Sequence, residues 1–511
     1  MTVTPPPHAQ LDVLQRRNAK LQRLLEVAKS LGAEKDVDSL LESILKQAAE
    51  IIDADRCTLF IVDREKDQLW SKIAQGMVKE GTSGGIIRIA LGNGIAGSCA
   101  KTGEVINLPD PYADARFNRD IDRATGYRTA SILAVPMLAL DGHVTGVIQA
   151  LNKQDVSGGF TAEDEELLLA VGSTAAVAIE NAFLHRDIQQ LFDGFVRASV
   201  YAIEARDPST SGHSERVAVL TVAVAEAVNK APPPEHRHVR FSSTELRELR
   251  YAALLHDLGK VGVSEQVLMK ANKLYPHELA LMKERFEHAR ARSDVHFLER
   301  KVEALAQQGL HGAACGRCAA LDAERAGAQA ELDEMWTFIE QANMPTVLAQ
   351  GGFERLNAWQ DKRFTDRSGA AIPLLTDHER VNLSIRRGSL NAQERLEIES
   401  HVTHTYEFLR QIPWTHDLQR LPEIAAKHHE KLTGRGYPGK VPASDIPVQT
   451  RIMTIADIYD ALTAADRPYK KALPHEQAID ILLDEANDGF IDRSLLTVFI
   501  ESKAHKSLLA S

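Results

Sequence analysis

The sequence predicts a multidomain chain in which an α/β domain, an antiparallel sheet flanked by helices, is joined by a long helix to an all-α domain carrying a helical-hairpin insertion. Three observations lead there. Short apolar runs separated by turn residues occupy 57–151, a proline-free helical pattern runs from 163 to 207, and apolar helical stretches beyond it lead into histidine and aspartate residues. The 511 residues also exceed the roughly 100 to 200 of a single domain.

Taken in order, residues 1–36 form a tail and an amphipathic helix, LDVLQRRNAKLQRLLEVAKSLG. In VDSLLESILKQAAEIID, Leu40, Leu41, Ile44, Leu45, Ala48, Ile51 and Ile52 share one helix face and open the first domain, 37–185. The runs CTLFIV, GIIRIA, EVINL, SILAVPM and HVTGVIQAL come next, punctuated by glycine, asparagine and aspartate as strand-turn units require. From 163 to 207 acidic residues crowd the first helical turn, where the helix dipole favours them. Val171, Ala175, Ala178, Ala182, Ile188, Phe192, Phe195 and Ser199 recur there at spacings suited to a parallel helix pair, so a homodimer joined through this helix is expected.

The second domain covers 195–505, with an insertion at 277–375. Two helical runs, about 277–308 and 319–343, make that insertion a helical hairpin. Its tip carries His311, Cys315 and Cys318. Three donors fall short of the four a structural zinc site needs, so a small-residue turn with incidental thiols stands beside a metal or redox role.

The chemistry concentrates in KHHEKLTGRGYPGK, residues 427–440. His428 and His429 are adjacent and cannot both enter an apolar core from a regular helix, but both reach ions if the segment lines a site; a surface histidine pair is the bland alternative. In YAALLHDLGKVGV, apolar residues lead into His256 and Asp257, with Gly259 placed to end the helix. The Asp257 carboxylate has two oxygens, enough to bind one metal ion or bridge two. His213, His401 and Asp457 are the further candidates. Mixed imidazole and carboxylate donors suit iron, manganese or zinc better than calcium or magnesium. Phosphodiester hydrolysis needs charge neutralisation, a nucleophile available at neutral pH and support for the leaving oxygen, and two metal ions about 3.5 to 4 Å apart supply all three.

HDLGK, HHEKLTGRGYPG and ADIYDALTAADRPYK occur in that order, and residues 195–500, apart from the insertion, resemble the HD-GYP family of cyclic di-GMP phosphodiesterases. The resemblance implies hydrolysis of cyclic di-GMP to pGpG and onward to GMP, with Asp257 and Lys260 catalytic. It implies one metal on His213, His256, Asp257 and Asp457 and a second on His401, His428 and His429, bridged by Asp257, the metals being iron or manganese. Lys260, Arg467 and Lys470 would then face substrate phosphate, and Arg435, Gly436, Tyr437 and Pro438 would contact the substrate. Some members hold a third metal through a glutamate near the first histidine; Ser209 stands in that neighbourhood here, which points to two.

The first domain resembles a GAF domain, most closely in LGNGIAGSCAKTGEVINLPDPYADARFN. Asn152, Lys153, Phe160, Asp164 and Glu165 match the motif of cyclic-nucleotide-binding GAF domains. That implies a cyclic nucleotide or another small ligand in a pocket between the sheet and residues 92–128. A Lys153 to Asp164 salt bridge, tying a strand end to the next helix, gives the same residues a structural role.

The net charge of −11 argues against a nucleic-acid polymer as partner, whereas a small anionic nucleotide needs only local positive charge and metals. No run approaches the ~18 to 20 apolar residues of a membrane span, and MTVTPPPHAQLDVLQ lacks the features of a signal sequence. A cytoplasmic location with reduced Cys57, Cys99, Cys315 and Cys318 is expected. The expected function is a signalling phosphodiesterase for cyclic di-GMP regulated by the GAF sensor. The alternatives are another cyclic dinucleotide such as cyclic GMP-AMP, another nucleotide phosphoester, or a non-catalytic receptor or interaction module.

Overall fold

A computed structural model of the chain describes residues 22, 25–31, 34, 36–71, 87–154, 159–207, 211–308, 316–347, 351–464 and 472–509. The chain divides into two compact units, 1–193 and 194–511. Much of the expected N-terminal helix lies outside the described residues, as do Ser209, His311, Cys315, Arg467 and Lys470.

In the first unit the helix Val37–Ile51 is capped by Asp36, whose carboxylate accepts from the Ser39 N–H at 2.9 Å. Its apolar face lies on a six-stranded antiparallel sheet of β1 (Ala54–Asp63), β2 (Gln68–Ser71), β3 (Ile87–Ala90), β4 (Ile106–Leu108), β5 (Ile132–Leu138) and β6 (Val144–Lys153), in the order β3-β2-β1-β6-β5-β4. The central pair β1 and β6 runs in register from Ala54 opposite Lys153 to Ile61 opposite Gly146. A Cβ on Gly146 would lie 2.3 Å from the Phe60 carbonyl oxygen, so no side chain fits there. The same sheet face receives Leu168, Val171, Ala175 and Ile179 of the helix Ala162–Arg206, while Ile95, Ala96 and Cys99 of the helix Gly94–Thr102 cover the other. β2 was not among the expected strands: its four residues are too short to establish a periodicity.

The helix Ala162–Arg206 corrects two expectations. Val171, Ala175, Ala178 and Ala182 are buried in the unit's own core and cannot form the seam of a helix pair. Between residues 184 and 195 the exposed large apolar residues are Leu184, Ile188, Leu191 and Phe195, again at steps of four, three and four. By length and composition this helix also contains an apolar stretch long enough to cross a membrane, and half of that stretch is buried in the fold, where the core of the first unit accounts for it.

In the second unit the helix Ser243–Leu255 opens with a capping box between Ser242 and Glu245. It packs against the helix His213–Lys230, which buries Val217, Leu220, Val224 and Val228, and that helix in turn packs against Val448–Thr463. The helices His401–Leu409 and Leu421–Ala426 close the cluster, and His475–Asn487 and Arg493–Glu501 pack beside Val448–Thr463.

The insertion contains the helices Pro276–Gln308 and Gly316–Asn343. It also has the helix Gly352–Ala358, a two-stranded hairpin (Arg363–Thr365 and Ala371–Pro373) and the helix Asp377–Leu383. Met282, Phe286, Met335, Ile339, Leu356 and Leu383 share a core of their own. Where the insertion begins and ends the chain nearly meets itself: the Ser389 hydroxyl donates to the Lys270 carbonyl oxygen at 2.8 Å, and the Lys270 ammonium is buried against both oxygens of Glu394 at 2.8 and 2.7 Å. Cys57, Cys99 and Cys318 are buried and in no disulfide; burial pushes the Cys57 and Cys99 thiols up to about 12, which leaves them unreactive.

Candidate metal centre

The helix ending at Leu255 delivers His256 and Asp257 into the interior of the second unit, and a short 3-10 turn, Leu258–Gly262, comes directly after. Gly259 does not end the helix by a left-handed conformation; it makes room. A Cβ there would lie 1.8 Å from the His401 carbonyl oxygen, so only glycine lets the His401 helix approach this turn. Thr405 locks the approach: its buried hydroxyl accepts from the Gly259 N–H at 2.8 Å and donates to the His256 carbonyl at 2.9 Å.

Three overlapping sets of donors result: His213, His256 and Asp457; His401, His428 and His429; and His256, Asp257 and His428. Within each set the donor atoms lie within 4.8 Å of one another. Asp257 faces both sides, with Oδ2 at 3.5 Å from His256 Nε2 and 3.9 Å from His213 Nε2, and Oδ1 at 3.4 Å from His401 Nε2. Asp457 Oδ1 lies 3.2 Å from His213 Nε2.

The orientation of the imidazoles is set by backbone chemistry. His256, His401 and His428 each turn Nδ1 to the carbonyl three residues earlier, Ala253, Ile398 and Ala425, at 2.7, 2.5 and 2.6 Å. A carbonyl only accepts, so Nδ1 carries the proton and Nε2 presents its lone pair to the centre. His213 is held instead by Asp460, whose Oδ2 is 2.7 Å from Nδ1 and which is itself gripped by Arg216 at 2.7 Å. The Nε2 atoms of His401 and His428 are buried and meet no hydrogen-bond partner. Such orphaned polar atoms cost about 1 to 3 kcal/mol each, and a divalent cation is the partner that this donor set fits.

The electrostatics agree. Burial, reinforced by neighbouring imidazoles, holds His428 well below its ordinary value and His429 down at about 4, and burial also lowers His401, so these rings are neutral donors. For His213 burial opposes the charge, but the hydrogen bonds to Asp457 and Asp460 prevail and raise it to about 9 in the absence of a cation. Burial would raise Asp257, yet Lys260 and the surrounding imidazoles overcome it and hold the carboxyl well below the usual range.

Lys260 is largely buried, its ammonium 2.8 Å from Asp257 Oδ2 and 3.6 Å from Asp207 Oδ2. The glycine turn is pinned from below by Glu430, whose carboxylate accepts from the Gly439 and Val441 N–H groups at 2.6 and 3.3 Å. Gly436 has no space for a Cβ, which would lie 2.3 Å from the Lys431 nitrogen. The turn leaves Arg435 exposed, places Tyr437 with its ring centroid 4.8 Å from that of His429, and puts Pro438 at the surface. Thr405, Asp460, Arg216 and Glu430 escaped the sequence reading; only Asp460, one helical turn from Asp457, carried a spacing that could have flagged it.

In the first unit the five motif residues have internal partners. The Lys153 ammonium donates to Asp164 at 3.0 Å and to the Ile52 carbonyl at 2.7 Å, and Asp164 also accepts from the Thr161 N–H at 2.8 Å. The Asn152 amide bonds Tyr127, the Arg128 carbonyl and the Ala130 N–H at 2.8, 2.9 and 2.6 Å, and Glu165 accepts from Asn107 at 2.8 Å. Phe160 is in the core. The strand-to-helix salt bridge is therefore present.

Residues 36–179 match the GAF domain family, and residues 210–306 and 371–495 match two families described as HD domain. The chain thus carries an N-terminal GAF domain, a long helix and a helical HD domain. The dual 3',5'-cyclic-AMP and -GMP phosphodiesterase 11A of Takifugu rubripes is 37% identical over 175 residues, 33% of this chain and 19% of that protein, so this chain spans about a fifth of that relative's length. Among solved structures, the GAF domain of an Acinetobacter phosphoenolpyruvate-protein phosphotransferase is 20% identical, covering 33% of this chain and 98% of that one with a TM-score of 0.28. The GAF domain/HD domain protein from Geobacter sulfurreducens is 17% identical, covering 30% and 98% with a TM-score of 0.25.

Proposed function

We propose that this chain is a metal-dependent phosphodiesterase regulated by its GAF unit, and that it hydrolyses cyclic di-GMP to pGpG and then to GMP. The observation that carries the reading is the pair of buried, unpartnered Nε2 atoms of His401 and His428 beside an aspartate whose two oxygens face two histidine groups. In this proposal His213, His256, Asp257 and Asp457 hold one divalent cation and His401, His428 and His429 the other, with Asp257 shared. Iron or manganese, when bound there, supplies charge neutralisation of the phosphodiester and activation of water at neutral pH. Lys260 sets a fixed positive charge beside the phosphate and orients Asp257. Arg435, Gly436, Tyr437 and Pro438 on the glycine turn contact the substrate, and Arg467 and Lys470, which lie outside the described residues, are assigned to its phosphate by the family resemblance alone. A cytoplasmic homodimer belongs to the same proposal.

The GAF unit is proposed to take a cyclic nucleotide or another small ligand, a reading supported by the likeness to a cyclic-AMP and -GMP phosphodiesterase. Asn152, Lys153, Phe160, Asp164 and Glu165 serve it through the frame they hold, since their polar groups already bond within the domain.

The test is the purified full chain, loaded with ferrous or manganous ion and incubated separately with cyclic di-GMP, cyclic GMP-AMP and 3',5'-cyclic GMP, the products being resolved by chromatography. Appearance of pGpG from the first supports the proposal. Turnover of another substrate with cyclic di-GMP untouched changes the substrate, and no turnover of any by metal-loaded protein removes the catalytic reading.

A further inference from the structure

A second concavity lies behind the metal centre. The helix His401–Leu409 turns His401 inward, and at about 100° per residue Thr403, Tyr406 and, just past its end, Arg410 come round to the opposite side. With Trp414, Pro422, Ala426 and the Pro438–Gly439 turn they line an open cavity of 630 Å³, within the range of small-molecule sites. Pro422 and Ala426 are buried at its base. The Trp414 indole N–H donates to the Leu409 carbonyl at 2.7 Å, which fixes that wall before any ligand arrives.

The charges lining this space are not equivalent. Lys427 is neutralised by Glu423 at 2.7 Å and also donates to the Asp445 carbonyl at 2.7 Å. The Glu430 carboxylate is turned to the Gly439 and Val441 N–H groups. Arg410 is exposed, its guanidinium carbon 6.0 Å from the Tyr406 ring centroid, and among the described residues no carboxylate lies within ion-pair distance of it. An available guanidinium beside two aromatic side chains selects a ligand that stacks and carries negative charge.

We infer that the cavity walled by Tyr406, Trp414 and Pro438 is a binding site for a small planar aromatic anion, stacked on the aromatic side chains and ion-paired with Arg410. It lies apart from the metal donors, since His401 leaves the opposite side of the same helix, and it adjoins the proposed substrate turn through Pro438 and Gly439. The inference stands independently of the reaction proposed for that centre.

Naphthalene-2-sulfonate, which has a flat ring, a fixed charge and no hydrolysable bond, is the probe, titrated calorimetrically into the full chain. Saturable binding is expected, weakened at least tenfold by Arg410→Gln and by Trp414→Leu and undiminished by Lys260→Ala. Neutral 2-naphthalenemethanol is expected to bind at least tenfold more weakly. Arg410 is exposed, so Arg410→Gln tests the site without disturbing the core, and a matched melting temperature checks that. Absence of saturable binding up to millimolar probe, binding indifferent to Arg410→Gln, or equal affinity for the neutral analogue overturns the inference.

Discussion

Lys260 Nζ lies 2.8 Å from Oδ2 of Asp257, the same oxygen that faces His213 and His256. The lysine is therefore a partner of that carboxylate, in addition to the phosphate contact proposed for it. Lys260→Ala is expected to lower turnover by roughly 100-fold, the scale of losing one charge-stabilising donor, with both metals retained by elemental analysis. Loss of metal instead assigns Lys260 to holding Asp257 in place.

Substitution of the shared ligand tests the two-metal proposal directly. Asp257→Ala and His256→Ala are both expected to abolish hydrolysis with the fold kept, and Asp257→Ala is expected to lose more metal because its oxygens face both histidine groups. Full activity with unchanged metal content in either variant would remove the binuclear assignment.

Thr405 joins the two halves of the site through one hydroxyl. Thr405→Val preserves its shape but leaves the Gly259 N–H and the His256 carbonyl without that partner, at a cost of about 2 kcal/mol. A lower unfolding midpoint and weaker metal retention are expected, with Thr405→Ser restoring both. A valine variant as stable as the parent would show the bridge to be dispensable.

The insertion should be acid-labile. Burial alone would raise the Glu379 carboxyl above its ordinary 4.5, but bonds from Arg285 at 2.8 and 3.0 Å and from Thr376 overcome it and lower it. A group depressed in the folded state contributes stability above its unfolded pKa and loses it as pH falls through the folded one. Between pH 7 and about 5 this contribution is expected to be flat, and below 4.5 to decline. Trp336 and Trp359, which pack against the insertion core, report it by fluorescence, and Glu379→Gln should flatten the acid limb. An acid limb identical in that variant would assign the loss to another group.

The helix Ala162–Arg206 ends against the site. The Arg206 guanidinium donates to the carbonyls of Val261 and Val263 just after HDLGK, and the next residue, Asp207, lies 3.6 Å from Lys260. If the exposed stripe Leu184, Ile188 and Leu191 pairs two copies, the helix transmits rotation. Deleting one residue near Arg186 rotates the downstream chain by about 100°, whereas deleting seven nearly restores the facing surface. Activity is expected to change strongly with the single deletion and little with the heptad deletion. Equal rates on folded dimers with matched metal content would reduce the helix to a tether.

Much of this architecture was legible because it rests on periodicity or on residue pairs with few alternatives. Short apolar runs bounded by turn residues marked β1, β5 and β6, the absence of proline marked the long helix, and adjacent His256-Asp257 and His428-His429 marked the segments that the fold brings together. Periodicity failed at Val171 to Ala182, because a domain core and a dimer seam ask for the same spacing. Thr405 and Glu430 were illegible for a different reason: a lone hydroxyl or carboxylate acquires its role only when a distant backbone N–H arrives beside it.

The bond from Ser389 to Lys270 joins residues 119 positions apart, and this closure bears on the order in which the chain folds. Donors of the metal centre stand on both sides of the insertion, with His213, His256 and Asp257 before it and His401, His428, His429 and Asp457 after it. If the two flanks had to find each other across a slack loop, closure entropy would fall on the step that assembles the centre. A compact insertion with its own core removes that burden by delivering its two ends side by side. Its apolar interior would thus act as an assembly jig for a site to which its described residues contribute no ligand, and loosening that interior should slow the acquisition of metal during refolding before it alters the finished fold.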